Sequence, residues 1–120
     1  MNTGDHIWMK PNGDGPRADA ALKHLNLPPL GQPGRASPLV TKTLLFLGEG
    51  DPINIRTPPG GGGKKFRAYD KASGAVLWET ELPAGTTAAP MTYMHNGKQY
   101  IVVAIGATGH PAEFVALTLR

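Results

Sequence analysis

Apolar and polar side chains alternate with a period of two over residues 65–70, which predicts a strand with two unlike faces. Residues 76–78 are Val, Leu and Trp, a run that favours a second strand because branched and aromatic side chains pack well on a pleated surface. Between the two runs, Asp70 can accept hydrogen bonds from a turn and Gly74 can adopt a positive φ. The sequence therefore predicts a hairpin over residues 65–82.

Further short apolar runs predict more strands of the same kind. Residues 43–48 are almost continuously apolar, which favours a strand buried on both faces. Asn96–Gly97 separates two other runs and is a strong hairpin signal. Loops are expected at 49–63 and 106–111. The remaining strands are predicted at 39–41, 90–94, 98–105 and 113–119.

The first ten residues contain a partial copy of the hairpin pattern. Thr3–Gly4 is followed by three residues and Trp8, as Ser73–Gly74 is followed by three residues and Trp78. The two Trp are the only ones in the chain and lie 78 − 8 = 70 positions apart. We interpret this as an internal repeat whose first copy begins in the middle of its motif.

The repeat suggests four consecutive segments. A short helix is predicted over residues 19–25, where small and apolar residues share one side before several Pro and Gly. Small antiparallel sheets repeated at tens of residues are typical of a β-propeller. The predicted segments are an outer strand of a truncated blade at 1–10, an insertion with the short helix at 11–37, a complete four-stranded blade at 38–82, and a last blade without its fourth strand at 83–120.

Composition supports an all-β chain and excludes several other classes. The 16 Gly and 12 Pro of the 120 residues cluster in two places and otherwise separate apolar runs, as turns do. The absence of Cys excludes disulfides and thiol chemistry. A net charge of +3 from scattered Lys and Arg does not form a nucleic-acid footprint. The sequence contains neither a transmembrane run nor the basic and apolar segments of a signal peptide.

Few residues qualify as metal or phosphate ligands. Glu49 and Asp51 lack the alternating carboxylates of a calcium loop, and we expect them to be solvated loop residues. Residues 60–65 do not fit a phosphate-binding loop, because Pro58 stands where its first Gly belongs. The four His show no metal-binding spacing, and His95 is expected at a hairpin tip. No catalytic or metal-binding residue is predicted in this chain.

Two motifs resemble those of the quinoprotein dehydrogenases. The pattern Ala68-x-Asp70-x-x-Ser73-Gly74-x-x-x-Trp78 is similar to their tryptophan-docking motif, Ala-x-Asp-x-x-Thr-Gly-x-x-x-Trp. The run from Leu82 to Tyr93, followed by 96–103, resembles the last blade of dehydrogenases that use pyrroloquinoline quinone (PQQ), and is more similar to the membrane glucose dehydrogenase branch than to the methanol branch. Gly4 and Trp8 match part of the docking motif. The resemblance implies two blades at the C-terminal end of an eight-bladed propeller.

The resemblance also implies chemistry. Family members are periplasmic enzymes that oxidise an alcohol or sugar hydroxyl with PQQ and Ca²⁺, and pass electrons to a quinone or cytochrome acceptor. The base and calcium ligands of the family cannot be matched to residues of this chain. The methanol branch carries a Trp in the loop after the last long strand, and this chain does not. The candidate residues that would line the cofactor end are Thr86, Thr87, Gly106, Ala107 and Thr108.

The leading hypothesis is that the chain is the C-terminal part of a PQQ-dependent dehydrogenase, completed by the other blades of the same protein. Alone, it is expected to be inactive, to bind no cofactor tightly and to associate through uncovered apolar faces. The alternative is a non-catalytic propeller of the same repeat, such as a scaffold in outer-membrane protein assembly. The calcium ligands expected upstream in an enzyme, and not in a scaffold, would distinguish the two.

Overall fold

A computed structural model describes residues 3–32, 34, 36–50 and 62–118. Within these residues the chain folds into two antiparallel sheets and two short 3₁₀ helices. The first sheet contains four strands in sequence order and the second contains three. The strands are β1 (Leu39–Val40), β2 (Leu44–Gly48), β3 (Lys65–Asp70), β4 (Val76–Glu81), β5 (Met91–His95), β6 (Lys98–Ala107) and β7 (His110–Thr118). The predicted all-β class is confirmed.

The two sheets pack against each other through alternate residues of their central strands. Phe66 of β3 is fully buried, and so are Val103 and Ile105 of β6. Leu82 and Ala84, in the connection between the sheets, complete this core with Ile101. Burying one such side chain contributes roughly 1.5–3 kcal/mol. Packing between the sheets therefore fixes the connection at 82–87, where the candidate site lies.

The predicted hairpins form with the expected turn chemistry. Asn96 and Gly97 have φ of 48° and 74°, the positive values that a tight two-residue turn needs. Lys98 pairs with His95 directly beside this turn. At the other predicted turn, Gly74 has φ of 69° and its N–H donates to the carbonyl of Asp70. Both turns were identifiable from local sequence.

The predicted helix over residues 19–25 is wrong. The segment instead forms two 3₁₀ helices, Gly15–Ala18 and Lys23–Leu25. The N–H of Ala21 donates a hydrogen bond to the carboxylate of Asp19, and Asn26 adopts a left-handed conformation that ends the second helix. A helix of two turns is marginal in water, so these local bonds outweigh its apolar stripe.

Three further predictions are corrected by the strand geometry. Residues 3–10 contain no strand, because Trp8 contacts the first sheet through its side chain rather than by backbone pairing. Most of β2 is half-buried rather than buried on both faces. The loop expected at 106–111 shrinks to a turn at Thr108 and Gly109, since Ala107 still pairs with His110. Most of the loop predicted at 49–63 lies outside the described residues.

Candidate functional site

The segment directly after β2 is hydrogen-bonded to the connection between the two sheets. Thr86 donates to the carbonyl of Glu49 twice, from its backbone N–H at 3.0 Å and from its hydroxyl at 3.2 Å. Thr86 is buried and also bridges to Ile105 of β6. We call residues 48–50, 85–87 and 104–106 the inter-sheet clasp. It holds both sheets at one end.

Glycines make this close approach possible. A Cβ added to Gly48 would lie 2.2 Å from Cγ2 of Thr86, and one added to Gly50 would lie 2.2 Å from the Thr86 carbonyl oxygen. Real Cβ atoms essentially never come so near, so side chains at Gly48 and Gly50 would push the sheets apart. A Cβ added to Gly85 would lie 3.1 Å from the Cα atom of Gly50, which is a tight contact.

The clasp brings together most of the residues predicted to line a cofactor. Thr87 donates its N–H to Ala104, and Gly106 donates its N–H to Gly85. Gly106 and Ala107 belong to β6 rather than to a loop, and the register shifts between Ile105 and Ala107. Thr108 follows in an exposed turn. The candidate residues therefore cluster, although two of them lie on a strand.

These residues alone do not fit the carboxylates of a quinone cofactor. The N–H groups of Thr86, Thr87 and Gly106 are all bonded within the protein. The Thr86 hydroxyl donates to Glu49, and neither Lys nor Arg occurs in residues 82–90 or 104–109. Of the five candidate residues, Thr87 and Thr108 carry hydroxyls that have no hydrogen bond to the described part of the chain. These candidate residues can line at most one side of a cofactor site, and their role in cofactor binding stays a prediction.

A buried ion-pair cluster lies beside the clasp. Glu49 is 5 % exposed and Arg67 is 6 % exposed. Nη1 of Arg67 lies 2.5 Å from Oε1 of Glu49, and its Nε lies 2.5 Å from Oε2 of Glu79. Lys65 contacts the other Glu79 oxygen at 2.9 Å. The expectation that Glu49 is a solvated loop residue is therefore wrong, while Asp51 lies outside the described residues.

The cluster shifts the ionisation of its members. Burial alone would lower the pKa of Arg67, but its hydrogen bonds to Glu49 and Glu79 outweigh burial and raise it. The hydrogen bond from Lys65, followed by that from Arg67, lowers the pKa of Glu79. The same bond raises the pKa of Lys65. These shifts favour the ionised forms of Arg67, Lys65 and Glu79 at neutral pH.

The insertion contributes polar groups to the same cluster. Oδ1 of Asn12 accepts from Nη1 of Arg67 at 3.3 Å and from the Tyr69 hydroxyl at 3.2 Å. Nδ2 of Asn12 donates to the carbonyl of Gly48 at 3.0 Å. Burial raises the pKa of Tyr69. The sequence analysis did not predict this cluster. The only sign of it in the sequence is Glu49, a charged residue between two glycines directly after an apolar strand.

The partial and complete copies of the repeat are in direct contact. The indole N–H of Trp8 donates to the carbonyl of Lys71 at 2.9 Å. A Cβ added to Gly74 would lie 2.6 Å from Cδ2 of Trp8, so the ring packs flush on that glycine. The Trp of one copy thus rests on the turn of the next.

The turn under Trp8 is rigidified by its own side chains. The Ser73 hydroxyl donates to Oδ2 of Asp70 at 2.7 Å, and the N–H of Ala72 donates to Oδ1 at 3.1 Å. These bonds, the hydroxyl first, lower the pKa of Asp70. Asp70 and Ser73, the polar residues of the motif, therefore both stabilise the turn.

Trp78 occupies the corresponding position in the complete copy. It pairs with Ala68 across β3 and β4, and its ring meets Phe66 edge to face, with 6.4 Å between the ring centroids. It stays 43 % exposed.

The described residues contain no group of three or more His, Cys, Asp or Glu side chains arranged for a metal ion. Over the same residues, no helix has the length and apolar character needed to cross a membrane.

Comparison with known families assigns the chain. A family model described as the β-propeller domain of PQQ glucose/ethanol/alcohol dehydrogenases matches residues 1–101. The chain belongs to this family. The two packed sheets are accordingly blades of a quinoprotein propeller, and the predicted partial propeller is confirmed. No solved structure matched the chain.

Individual relatives match over a shorter region. The quinoprotein glucose dehydrogenase of Escherichia coli K12 is 54 % identical over 44 residues, which are 37 % of this chain and 6 % of the relative. That of Gluconobacter oxydans 621H is 57 % identical over 45 residues, or 38 % of this chain and 5 % of the relative. Methanol dehydrogenase subunit 1 of Paracoccus denitrificans is 42 % identical over 46 residues, or 38 % and 7 %. The matched segments thus span a small part of each relative.

Proposed function

We propose that the chain forms the last two blades of a PQQ- and Ca²⁺-dependent dehydrogenase that oxidises a sugar or alcohol hydroxyl and passes the electrons to a quinone or cytochrome acceptor. The supporting observation is the contact of Trp8 with Lys71 and Gly74, in which one copy of the docking motif stacks on the next. The family match over residues 1–101 supports the same function. Glucose dehydrogenases among the relatives favour a sugar substrate.

In this proposal the chain contributes architecture, and the remaining blades contribute the base and the calcium ligands. The inter-sheet clasp sets the distance between the two blades at the end where Thr87, Gly106 and Thr108 lie. These residues form one wall of the cofactor site. A periplasmic location follows from the same family resemblance.

Exposed apolar side chains support the need for further blades. Val76 and Leu77 on β4 are 52 % and 62 % exposed, and Phe114 on the outer strand β7 is 81 % exposed. Large apolar patches of this kind mark surfaces that other protein covers. In the proposed propeller, neighbouring blades cover both strands.

The proposal is tested by measuring dye reduction with glucose and ethanol in the longer protein that contains these blades, reconstituted with PQQ and Ca²⁺. Turnover that requires both additions is expected for the longer protein and not for the 120-residue chain alone. A longer protein that binds no PQQ and lacks turnover would favour the scaffold alternative. Quinone-dependent turnover by the isolated chain would contradict the architectural role.

A further inference from the structure

The dipeptide Asn-Gly occurs twice in the chain, at Asn12–Gly13 and at Asn96–Gly97. An Asn side chain that precedes Gly is chemically vulnerable, because no Cβ hinders the next backbone nitrogen from reaching the side-chain carbonyl carbon. The fold places these two pairs in opposite environments. One pair is therefore a candidate site of covalent modification, and the other is its internal reference.

Asn96 and Gly97 lie at the exposed tip of the β5–β6 hairpin. A Cβ added to Gly97 would meet no atom within 4 Å, so the space around this residue is open. Within the described residues, neither the Asn96 side chain nor the Gly97 N–H forms a hydrogen bond. Both groups that would react are therefore free and accessible to water.

The hairpin tip is also weakly held. The five residues of β5 are all exposed. The pair nearest to the turn, His95 with Lys98, is exposed on both strands. Segments with few buried contacts open locally at a low free-energy cost. Opening of the tip lets the Asn96 side chain rotate until its Cγ meets the nitrogen of Gly97.

The other pair is held by the first sheet. Oδ1 of Asn12 accepts hydrogen bonds from Arg67 and from the Tyr69 hydroxyl, and Nδ2 donates to the carbonyl of Gly48. The residue that follows, Gly13, is buried. The Asn12 amide cannot turn onto the Gly13 nitrogen unless these bonds break. The fold thus protects this pair.

We propose that Asn96 is a site of spontaneous deamidation, with water as the co-reactant. The Gly97 nitrogen attacks Cγ of Asn96, so that a new N–Cγ bond forms and the bond from Cγ to Nδ2 breaks. The proton of the Gly97 nitrogen passes through solvent to Nδ2, which leaves as ammonia. Water then opens the cyclic imide at either of its carbonyls and gives aspartate or isoaspartate. No oxidant or reductant is needed.

The products change both the charge and the main chain of the hairpin. Either product adds one negative charge, which lowers the net charge of the chain from +3 to 3 − 1 = +2. Isoaspartate also inserts a methylene into the main chain of a two-residue turn, whose length sets the register of the strands. It therefore weakens the pairing of β5 with β6 beside the turn. The inference is independent of the proposed enzymatic function, because it uses only residues of this chain.

The test compares the two pairs in one molecule. The folded 120-residue chain is incubated at mildly alkaline pH, and loss of each Asn amide is followed by mass spectrometry of its proteolytic peptides. Asn96 should lose its amide about tenfold faster than Asn12 or more, because several hydrogen bonds must break before Asn12 can react. In denaturing urea the two rates should become similar, since each Asn precedes Gly. Gly97→Ala should slow the loss at Asn96 and leave that at Asn12 unchanged.

Three outcomes would overturn the proposal. Equal rates at Asn96 and Asn12 without urea would show that the fold does not select the hairpin tip. Loss at Asn96 only after urea is added would show that the turn protects its amide. A rate at Asn96 that Gly97→Ala does not change would exclude attack by the backbone nitrogen.

Discussion

The ring of Trp8 lies directly on Gly74, 66 residues further along the chain, and its indole N–H is bonded to the same turn. This contact joins a partial motif to a complete one. It requires that position 74 carry no side chain and that its φ be positive, at 69°. A local turn signal and a long-range packing requirement therefore coincide at one residue.

Replacing Gly74 should cost more than replacing a glycine that has only the turn role. Gly74→Ala introduces strain at positive φ, about 1–2 kcal/mol, and overpacking against Trp8, about 1–3 kcal/mol. Gly97→Ala is the matched control, because Gly97 has φ of 74° and no atom within 4 Å of an added Cβ. Urea unfolding should show the larger loss for Gly74→Ala. Equal losses would contradict the docking contact.

Removing the guanidinium from the buried cluster should strongly destabilise the chain. Arg67→Met leaves Glu49 buried without its counter-ion, which costs about 3–5 kcal/mol. The exposed pair of Arg17 and Asp14 provides the control, and Arg17→Met should cost less than about 1 kcal/mol. Chemical unfolding of both variants checks the difference.

A double variant separates an unpaired charge from lost packing. In Arg67→Met with Glu49→Leu, both buried charges are gone, and the stability should rise above that of Arg67→Met alone. A double variant less stable than Arg67→Met would show that loss of Arg67 does not leave Glu49 as a destabilising unpaired charge.

The contribution of the ionised Glu79 to the stability of the fold should disappear at acidic pH. Its pKa is lowered in the folded chain, so the stabilisation is present above the unfolded value near 4.5 and is lost as pH falls through the folded pKa. At pH 7 the free energy of unfolding of the wild type should exceed that of Glu79→Gln by at most about 1 kcal/mol, since the group is partly exposed. The gap should close as the pH falls through the folded pKa. Urea midpoints across this range test the sign.

The hydroxyl of Thr86 should stabilise the inter-sheet clasp. Thr86→Val removes a buried hydrogen bond to the Glu49 carbonyl and should cost about 1 kcal/mol. Thr92→Val is the control, because its hydroxyl donates to Tyr100 on an exposed strand and should contribute less. Amide exchange of Gly106, which donates to Gly85 in the clasp, should accelerate only in Thr86→Val. Unchanged exchange in both variants would argue against a clasp.

Local patterns predicted the strands well. The bounds of β3 are those expected from its alternation, and the Asn96–Gly97 turn has the conformation that its residues require. In both cases the determining interactions lie within a few positions along the chain. The helix failed for the converse reason, because side-chain bonds of Asp19 and the left-handed Asn26 outweigh a weak apolar pattern.

The candidate site was predicted only in part. Thr86, Thr87 and Gly106 do meet, but the sequence could not show that their N–H groups are already bonded. The burial of Glu49 depends on Arg67, 18 positions away, and on an insertion whose fold was mispredicted. Long-range ion pairs leave no periodic signal in the sequence, so they become apparent only in the folded structure.

The central claim, that these blades continue a larger quinoprotein propeller, makes a position-specific prediction. In the complete motif, Asp70 lies four residues and Ala68 six residues before Gly74. The same spacing from Gly4 places Asp immediately before Met1 and Ala two residues before that Asp. Sequencing the DNA upstream of the Met1 codon tests this most directly. We expect an open reading frame in phase that encodes Ala-x-Asp directly before Met1, whereas an in-phase stop codon at that point would contradict the account.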